Sequence, residues 1–309
     1  MRQLAFGVAA AFSLSACVSF PDAPVARVAP AIEDGSFRSI DGATLGLQSW
    51  QAQSPRAIIV ALHGMNDYSN AFALPGAWWA QEKNITTYAI DQRGFGRSPD
   101  VGHWAGSPTM IADLRAMITA VHARHPGLPV FVLGHSMGAG VILAAASEQK
   151  LDADGIILAA PGVWGGAALP IPYRLTANVA ATFAPGKTLT GERAARQASD
   201  NIEVLRQMYN DPLVIKETRL DAILGVTRVM GEAYGGARHV RGQILFLMGE
   251  KDEIIPLKAL GKTAMRLSGD VTVRRYPDGW HMLFRDLQGP VVWRDVADWI
   301  ARETDDTGS

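Results

Sequence analysis

The sequence predicts an α/β protein: a mostly parallel sheet with helices on both faces, its alternation interrupted by one helical insertion. Three observations lead there. From Ala57 onward, short β-rich runs ending in turn residues alternate with helix-like stretches, as in a sheet whose strands are joined by crossover helices. Most of those runs are continuously apolar, which suits strands covered on both faces. The 309 residues are 48% hydrophobic and 19% charged, enough apolar material for a sizeable core in one large domain or two small ones. Composition also excludes. Twenty-nine Lys plus Arg against 30 Asp plus Glu leave no electrostatic excess for a phosphate backbone, so no nucleic-acid partner is expected. A single cysteine closes no intrachain disulfide and builds no Cys-rich metal site, so packing alone must hold the fold.

In chain order, residues 1–20 read MRQLAFGVAAAFSLSACVSF: Arg2, an apolar run from Leu4 to Leu14, then small residues ending at Cys17. This is a secretory-signal pattern, shorter than the roughly 20 residues a membrane-spanning helix needs. Cys17 directly follows Leu14-Ser15-Ala16, which resembles the lipobox of bacterial lipoproteins. That resemblance implies cleavage before Cys17 and its acylation, and several acyl chains anchor firmly at about 0.8 kcal/mol per buried methylene. Val18 and Ser19 stand where an Asp would mark inner-membrane retention, so the resemblance implies a lipid-anchored protein of the cell envelope, at the outer membrane. The alternative is ordinary cleavage after Ser13-Leu14-Ser15, with Cys17 unmodified and the protein secreted or periplasmic. Val18 to Ala31 carries Pro21, Pro24 and Pro30 and reads as an extended tether with no core of its own, or else as a loop packed on the domain. Folding is expected to start near Gly35.

The strand runs are Thr44–Trp50, Ala57–Leu62, Ile85–Ile90, Val130–Leu133, Gly155–Leu158, Gln243–Met248 and Val271–Tyr276. Asp41-Gly42 reads as a hairpin turn, so the sheet should begin antiparallel. Helix-like stretches cover Phe72–Lys83, Thr109–His125, Met137–Gln149, Pro256–Leu267 and Pro290–Arg302. Residues 162–236 contain no convincing strand, but hold a Pro170-Ile171-Pro172-Tyr173 run and helix-like pieces at Ile202–Tyr209 and Leu213–Met230. Such an interval is too long for a loop and should be a helical cap over the strand ends. The expected divisions are therefore a signal at 1–16, a lipidated Cys and Pro-rich tether at 17–34, a core at 35–161 and 237–303, a cap at 162–236, and a tail at 304–309.

The chemistry sits at those strand ends. Val130–Leu133 runs into Gly134-His135-Ser136-Met137-Gly138 and then an Ala-rich helical stretch. That is G-x-S-x-G in the strand–turn–helix context in which a serine is exposed as nucleophile. Serine alone is a weak nucleophile and needs a base and an orienting acid, which for this motif follow in the order Ser, acid, His. Only His239 and His281 lie beyond Ser136. His239 precedes a strand, whereas His281 follows the C-terminal end of one, which makes His281 the base. The strand before it ends in Gly249-Glu250-Lys251-Asp252 and offers two carboxylates: Asp252, whose loop passes through Ile254-Ile255-Pro256 into a helix, and Glu250 as the fallback. Asp278 reads as a turn residue. Oxyanion donors are expected from the backbone N–H of Met137 and, after Ile58–Leu62 and His63-Gly64, that of Met65. His63 is expected to order its loop.

These motifs, with Asp91-Gln92-Arg93-Gly94-Phe95-Gly96-Arg97-Ser98 and Gly279-Trp280-His281, resemble the α/β-hydrolase superfamily, and within it the monoglyceride lipase and lysophospholipase branch of serine aminopeptidase S33 type. The match covers about residues 36–303 outside the cap, which fits no family pattern. The resemblance implies an eight-stranded sheet, Asp252 as the acid by its spacing, and hydrolysis of a small-molecule ester with one acyl chain, without cofactor or metal. Gly94-Phe95-Gly96 begins like a dinucleotide fingerprint, but Pro99 stands where its third glycine belongs. His122 and His125 lack surrounding carboxylates and should decorate a helix end. A thioesterase, an acyltransferase or a proline-type aminopeptidase would use the same triad. A non-catalytic lipoprotein that kept the fold should have lost a triad member, and none is lost.

Overall fold

A computed structural model describes residues 18–190 and 196–306; the signal-like segment, Cys17 and the last three residues lie outside the described part. Along the chain run β1 (Ala31–Glu33), β2 (Ser36–Arg38), β3 (Thr44–Trp50), β4 (Ala57–Leu62), α1 (Ala73–Lys83), β5 (Ile85–Ile90), α2 (Ser107–Arg124), β6 (Val130–His135), α3 (Met137–Glu148) and β7 (Gly155–Ala159). The cap interval then holds α4 (Ile171–Phe183), β8 (Thr188–Thr190), α5 (Ile202–Asn210), β9 (Glu217–Arg219) and α6 (Leu220–Gly236). Last come β10 (Gln243–Gly249), α7 (Leu257–Arg266), β11 (Asp270–Tyr276) and α8 (Gly289–Asp306).

The main sheet has the order β1-β2-β3-β5-β4-β6-β7-β10-β11. Pairing is antiparallel as far as β3–β5 and parallel from β5 onward. The central strands show why both faces must be covered. In β4, Ile58, Val60 and Leu62 point into one core with α2 and α3, while Ala57, Ile59 and Ala61 point into the other with α1 and α8. Successive strand side chains face opposite ways, so a fully apolar strand needs a helical layer on each side. Local signals end the helices: α1 stops at Asn84, whose left-handed φ of 54° lets its N–H bond to the Trp79 carbonyl.

Four expectations need correction. The sheet has nine strands rather than eight, because Asp34-Gly35, with Gly35 at φ 66°, closes a second hairpin between β1 and β2, too short for a periodicity to show. Residues 18–30 are not a free tether. Arg27 and Val28 donate N–H bonds to the Ile40 carbonyl, Thr109 Oγ1 donates to the Asp22 carbonyl, and Phe20 packs edge-on against Trp104 beneath the Arg228 guanidinium. In the cap, α4 was hidden by its two prolines; Pro170 sits at the N-cap and Pro172 in the first turn, where no helical N–H is lost. Finally, the stretch read as helical from Leu213 becomes so only at Leu220, because β9 precedes it and pairs with β8. Among the described residues no helix is long and apolar enough to cross a membrane.

Candidate active site

Ser136 stands on the turn between β6 and α3, with φ 50° and ψ −115°. That conformation is costly for a residue with a Cβ, and its surroundings over-determine it. The Ser136 N–H bonds to the Ala159 carbonyl, and the Ser136 carbonyl accepts from Gly140 and Gly162. Two glycines of the motif are required by space. A Cβ on Gly134 would lie 2.4 Å from the Ala139 nitrogen, and one on Gly138 would lie 2.3 Å from the Leu62 carbonyl oxygen. The helix therefore crosses its two strands at backbone contact, and the serine projects beyond the sheet.

Three loops at the same edge bring the partners. His281 Nε2 lies 2.9 Å from Ser136 Oγ, and its Nδ1 lies 2.8 Å from Asp252 Oδ2. The other carboxylate oxygen of Asp252 accepts the N–H groups of Ile254 and Ile255 at 2.8 and 2.9 Å. Burial pushes the Asp252 carboxyl up, but the facing imidazole and the two amides outweigh it and hold the group below its ordinary value. Asp252 is thus a fixed anion against one edge of His281, which leaves the other edge to exchange a proton with the serine. Glu250 is turned away, 3.9 Å from Arg275, and Asp278 pairs at the surface with Lys251. His239 lies beside Arg238 just before β10. His122 contacts Asp152 and His125 contacts the Tyr88 hydroxyl.

Met137 opens α3 directly after Ser136. Gly64, the residue before Met65, lies so near that a Cβ there would stand 3.3 Å from Ser136 Cβ. Completely buried His63 orders this loop: its Nδ1 lies 2.8 Å from the Gly64 carbonyl, and its Nε2 accepts the Gln92 N–H at 2.9 Å. Burial lowers its pKa, and the accepted N–H requires a neutral ring. The loop after β5 is scaffolding as well. Asp91 takes the Ser69 and Arg97 amides and the Arg97 guanidinium, and a Cβ on Gly94 would meet the His103 carbonyl oxygen at 2.1 Å.

Several participants were not legible in the sequence. His135 occupies a variable position of the serine motif, yet its Nε2 lies 2.9 Å from the His281 carbonyl and its ring centroid 5.1 Å from that of His281. Burial, then the neighbouring imidazole, lower its pKa to about 3, so it is a neutral donor to the His281 carbonyl. Arg285 forms a buried ion pair with Asp67, joining the His281 loop to the loop that carries Met65 across 218 residues of sequence. Asp286 accepts the Trp280 N–H at 2.8 Å. Among the described residues no group of three or more His, Cys, Asp or Glu is placed to hold a metal ion.

Residues 53–288 match the family described as Serine aminopeptidase, S33. The chain is 26% identical over 272 residues to the monoacylglycerol lipase of Mycolicibacterium smegmatis, covering 86% of this chain and 95% of that protein. It is 23% identical over 277 residues to the human monoglyceride lipase, covering 87% and 90%. Among solved structures, the monoacylglycerol lipase of Paleococcus ferrophilus superposes with a TM-score of 0.72 at 21% identity, over 84% of this chain and 99% of that one. The sheet order, the serine turn and the family match over most of the chain lead to one assignment: the chain belongs to the serine aminopeptidase S33 family, has the α/β-hydrolase fold, and is a serine hydrolase.

Proposed function

We propose that the protein hydrolyses carboxylic esters bearing a single acyl chain, such as monoacylglycerols and lysophospholipids, through a Ser136–His281–Asp252 triad and an acyl-enzyme. The observation that carries this reading is the placement of His281 between Ser136 Oγ and Asp252. As Ser136 attacks the ester carbonyl, His281 Nε2 takes its proton, and the Asp252 carboxylate holds the tautomer and stabilises the imidazolium. The amides of Met65 and Met137 receive the oxyanion, each such donor being worth about 10²–10³ in rate. His281 returns the proton to the leaving alcohol, and water then releases the acid by the same steps. Two observations support a lipid-like substrate: the names of the relatives, and the cap helix α4. On α4, Ile171, Leu175, Val179 and Phe183 recur every four residues and all are exposed, Phe183 at 77%. Such a stripe suits an apolar chain or a lipid surface better than a peptide.

A panel of p-nitrophenyl esters of increasing chain length, run beside monoacylglycerol, lysophospholipid, acyl-thioester and prolyl-amide substrates, tests the reading. Preference for medium-length acyl chains is expected, with monoacylglycerol favoured over triacylglycerol. Exclusive cleavage of the prolyl amide would move the protein to the peptidase side of its family. We propose in addition that Cys17 carries a lipid anchor in the cell envelope. Cys17→Ser should then release the protein into the soluble fraction with its esterase activity retained, and an unmodified mature N-terminus by mass spectrometry would refute the anchor.

A further inference from the structure

We infer that α5 is a fixed bridge across the active site, and that Ser199, Asp286, Tyr68 and Asp211 are positioning residues that hold the histidine and oxyanion loops at working distance. The inference rests on the assignment of Ser136 and His281 as the catalytic pair.

One end of α5 is tied to the histidine loop. Ser199 Oγ donates to Asp286 Oδ1 at 2.6 Å, and the second oxygen of that carboxylate accepts the N–H of Trp280, the neighbour of His281. Around this link, the Met282 N–H bonds to the Ala198 carbonyl, Asn201 Nδ2 bonds to the Arg285 carbonyl, and the Leu287 N–H bonds to Asp200. The other end of α5 is tied to the oxyanion loop. The Tyr68 hydroxyl donates to Asp211 Oδ2 at 2.7 Å, and burial together with Asp211 keeps that phenol protonated by raising its pKa. Next to it, Asn66 donates through Nδ2 to Thr218 at 2.6 Å and accepts the Ile215 N–H at 2.9 Å. Asn66 follows Met65 and holds a left-handed φ of 65°, a conformation these cap contacts help to maintain.

Beneath α5 the two loops are joined by the Asp67–Arg285 ion pair. The links thus close a ring: oxyanion loop, Arg285, histidine loop, Ser199, α5, Asp211, Tyr68 and back. A cavity of about 180 Å³ lies within it, lined by Asp67, Tyr68, Gln207, Met208, Asp211 and Arg285 among others. Among the described residues, the side-chain hydrogen bonds of helix α4 from Thr176, Asn178 and Thr182 all return to its own carbonyls, and α4 is held by packing, through buried Ala181 and the Tyr173 ring against Trp164. The cap therefore has two mechanical parts. Helix α5 is hydrogen-bonded to the catalytic loops at both ends, whereas α4 is joined to the rest by packing. Since sub-ångström placement of base and oxyanion donors governs the rate, loosening the ring should slow chemistry even for a substrate too small to fill an acyl pocket.

The test uses p-nitrophenyl acetate on the purified protein, with rates expressed per serine titrated by a fluorophosphonate. Ser199→Ala and Tyr68→Phe should each lower kcat about tenfold with KM changed less than about twofold, whereas Ser199→Thr, which keeps the hydroxyl, should stay within about twofold of the parent. The double variant should lose little more than the worse single one, because groups that act as a unit are non-additive. If Ser199→Ala fails to fold, Asp286→Asn replaces it and should show the same kcat loss. Unchanged kcat per titrated serine in Ser199→Ala and Tyr68→Phe would overturn the bridge, and fully multiplicative losses would overturn the ring. A parent not labelled at Ser136 would remove both the triad and this inference; a labelled parent with unaffected variants would remove the inference alone.

Discussion

Strand β4 and helix α4 are both rich in apolar residues and use them in opposite ways. Every side chain from Ala57 to Leu62 is buried, sharing two cores with the helices on either face. On α4, Ile171, Leu175, Val179 and Phe183 stand exposed, and Ala181 alone is buried. The first set gains its free energy inside the fold. The second, among the described residues, leaves about the same kind of surface in water, where a ligand, a lipid or a partner could cover it. The difference teaches that hydrophobicity in this chain is used in two ways, and that substitution should separate them: core changes should act on stability and, on the proposed function, cap changes on substrate.

The largest expected effect belongs to neither set. Ser136→Ala should lower kcat/KM for a short p-nitrophenyl ester by about four orders of magnitude or more while circular dichroism stays unchanged; activity retained within a few-fold would break the assignment. His281→Ala should be nearly as severe and should not add to it. Asp252→Asn follows, folding normally but losing about three orders of magnitude or more in kcat by favouring the wrong tautomer. Damage from Glu250→Gln instead would show that the acid is misplaced.

The comparison itself is sharpened by a matched pair. Ile59→Ala in the core should cost about 2–5 kcal/mol in urea unfolding. Phe183→Ser in the cap should move that value by only about 0.5 kcal/mol, yet reduce turnover of long-chain monoacylglycerol in vesicles several-fold relative to p-nitrophenyl acetate. Equal stability losses at the two positions would erase the distinction.

A pH dependence of stability should be seen as well. The folded pKa of His135 is lowered to about 3 from an ordinary 6.5, so between those values the unfolded chain binds the proton more readily. Stability contributed by the neutral, buried ring is complete above about pH 6.5 and declines as pH falls toward 3. Thermal melting followed from pH 7.5 to 4 should show this decline, and His135→Gln should flatten it. Asp252, with its lowered pKa, works in the same direction at the acid end.

Much of the molecule was legible because local pattern carried it. The strand from Ile58 to Leu62 is recognisable by an unbroken apolar run, and the one at Val130 by the same run leading into a serine flanked by glycines. His281 followed from order along the chain, since only two histidines lie beyond Ser136. What stayed hidden had weak local signals or none. Strands β1 and β2 are three residues each, and Pro172 concealed a helix in whose first turn it sits.

The sequence by itself determined the layered sheet, and it pointed to a serine, an acid and a histidine in that order and to a helical insertion. Each is written in periodicity or in a short motif, because backbone geometry repeats every two or 3.6 residues and a sharp turn needs glycine. Only the tertiary structure decided that residues 18–30 lie against the domain, that the stripe of α4 faces outward, and that Asp67 meets Arg285, Ser199 meets Asp286 and Tyr68 meets Asp211. Those partners are 218, 87 and 143 residues apart. A periodic pattern tells which side chains share a face, but a contact between distant segments depends on where the whole chain has brought them.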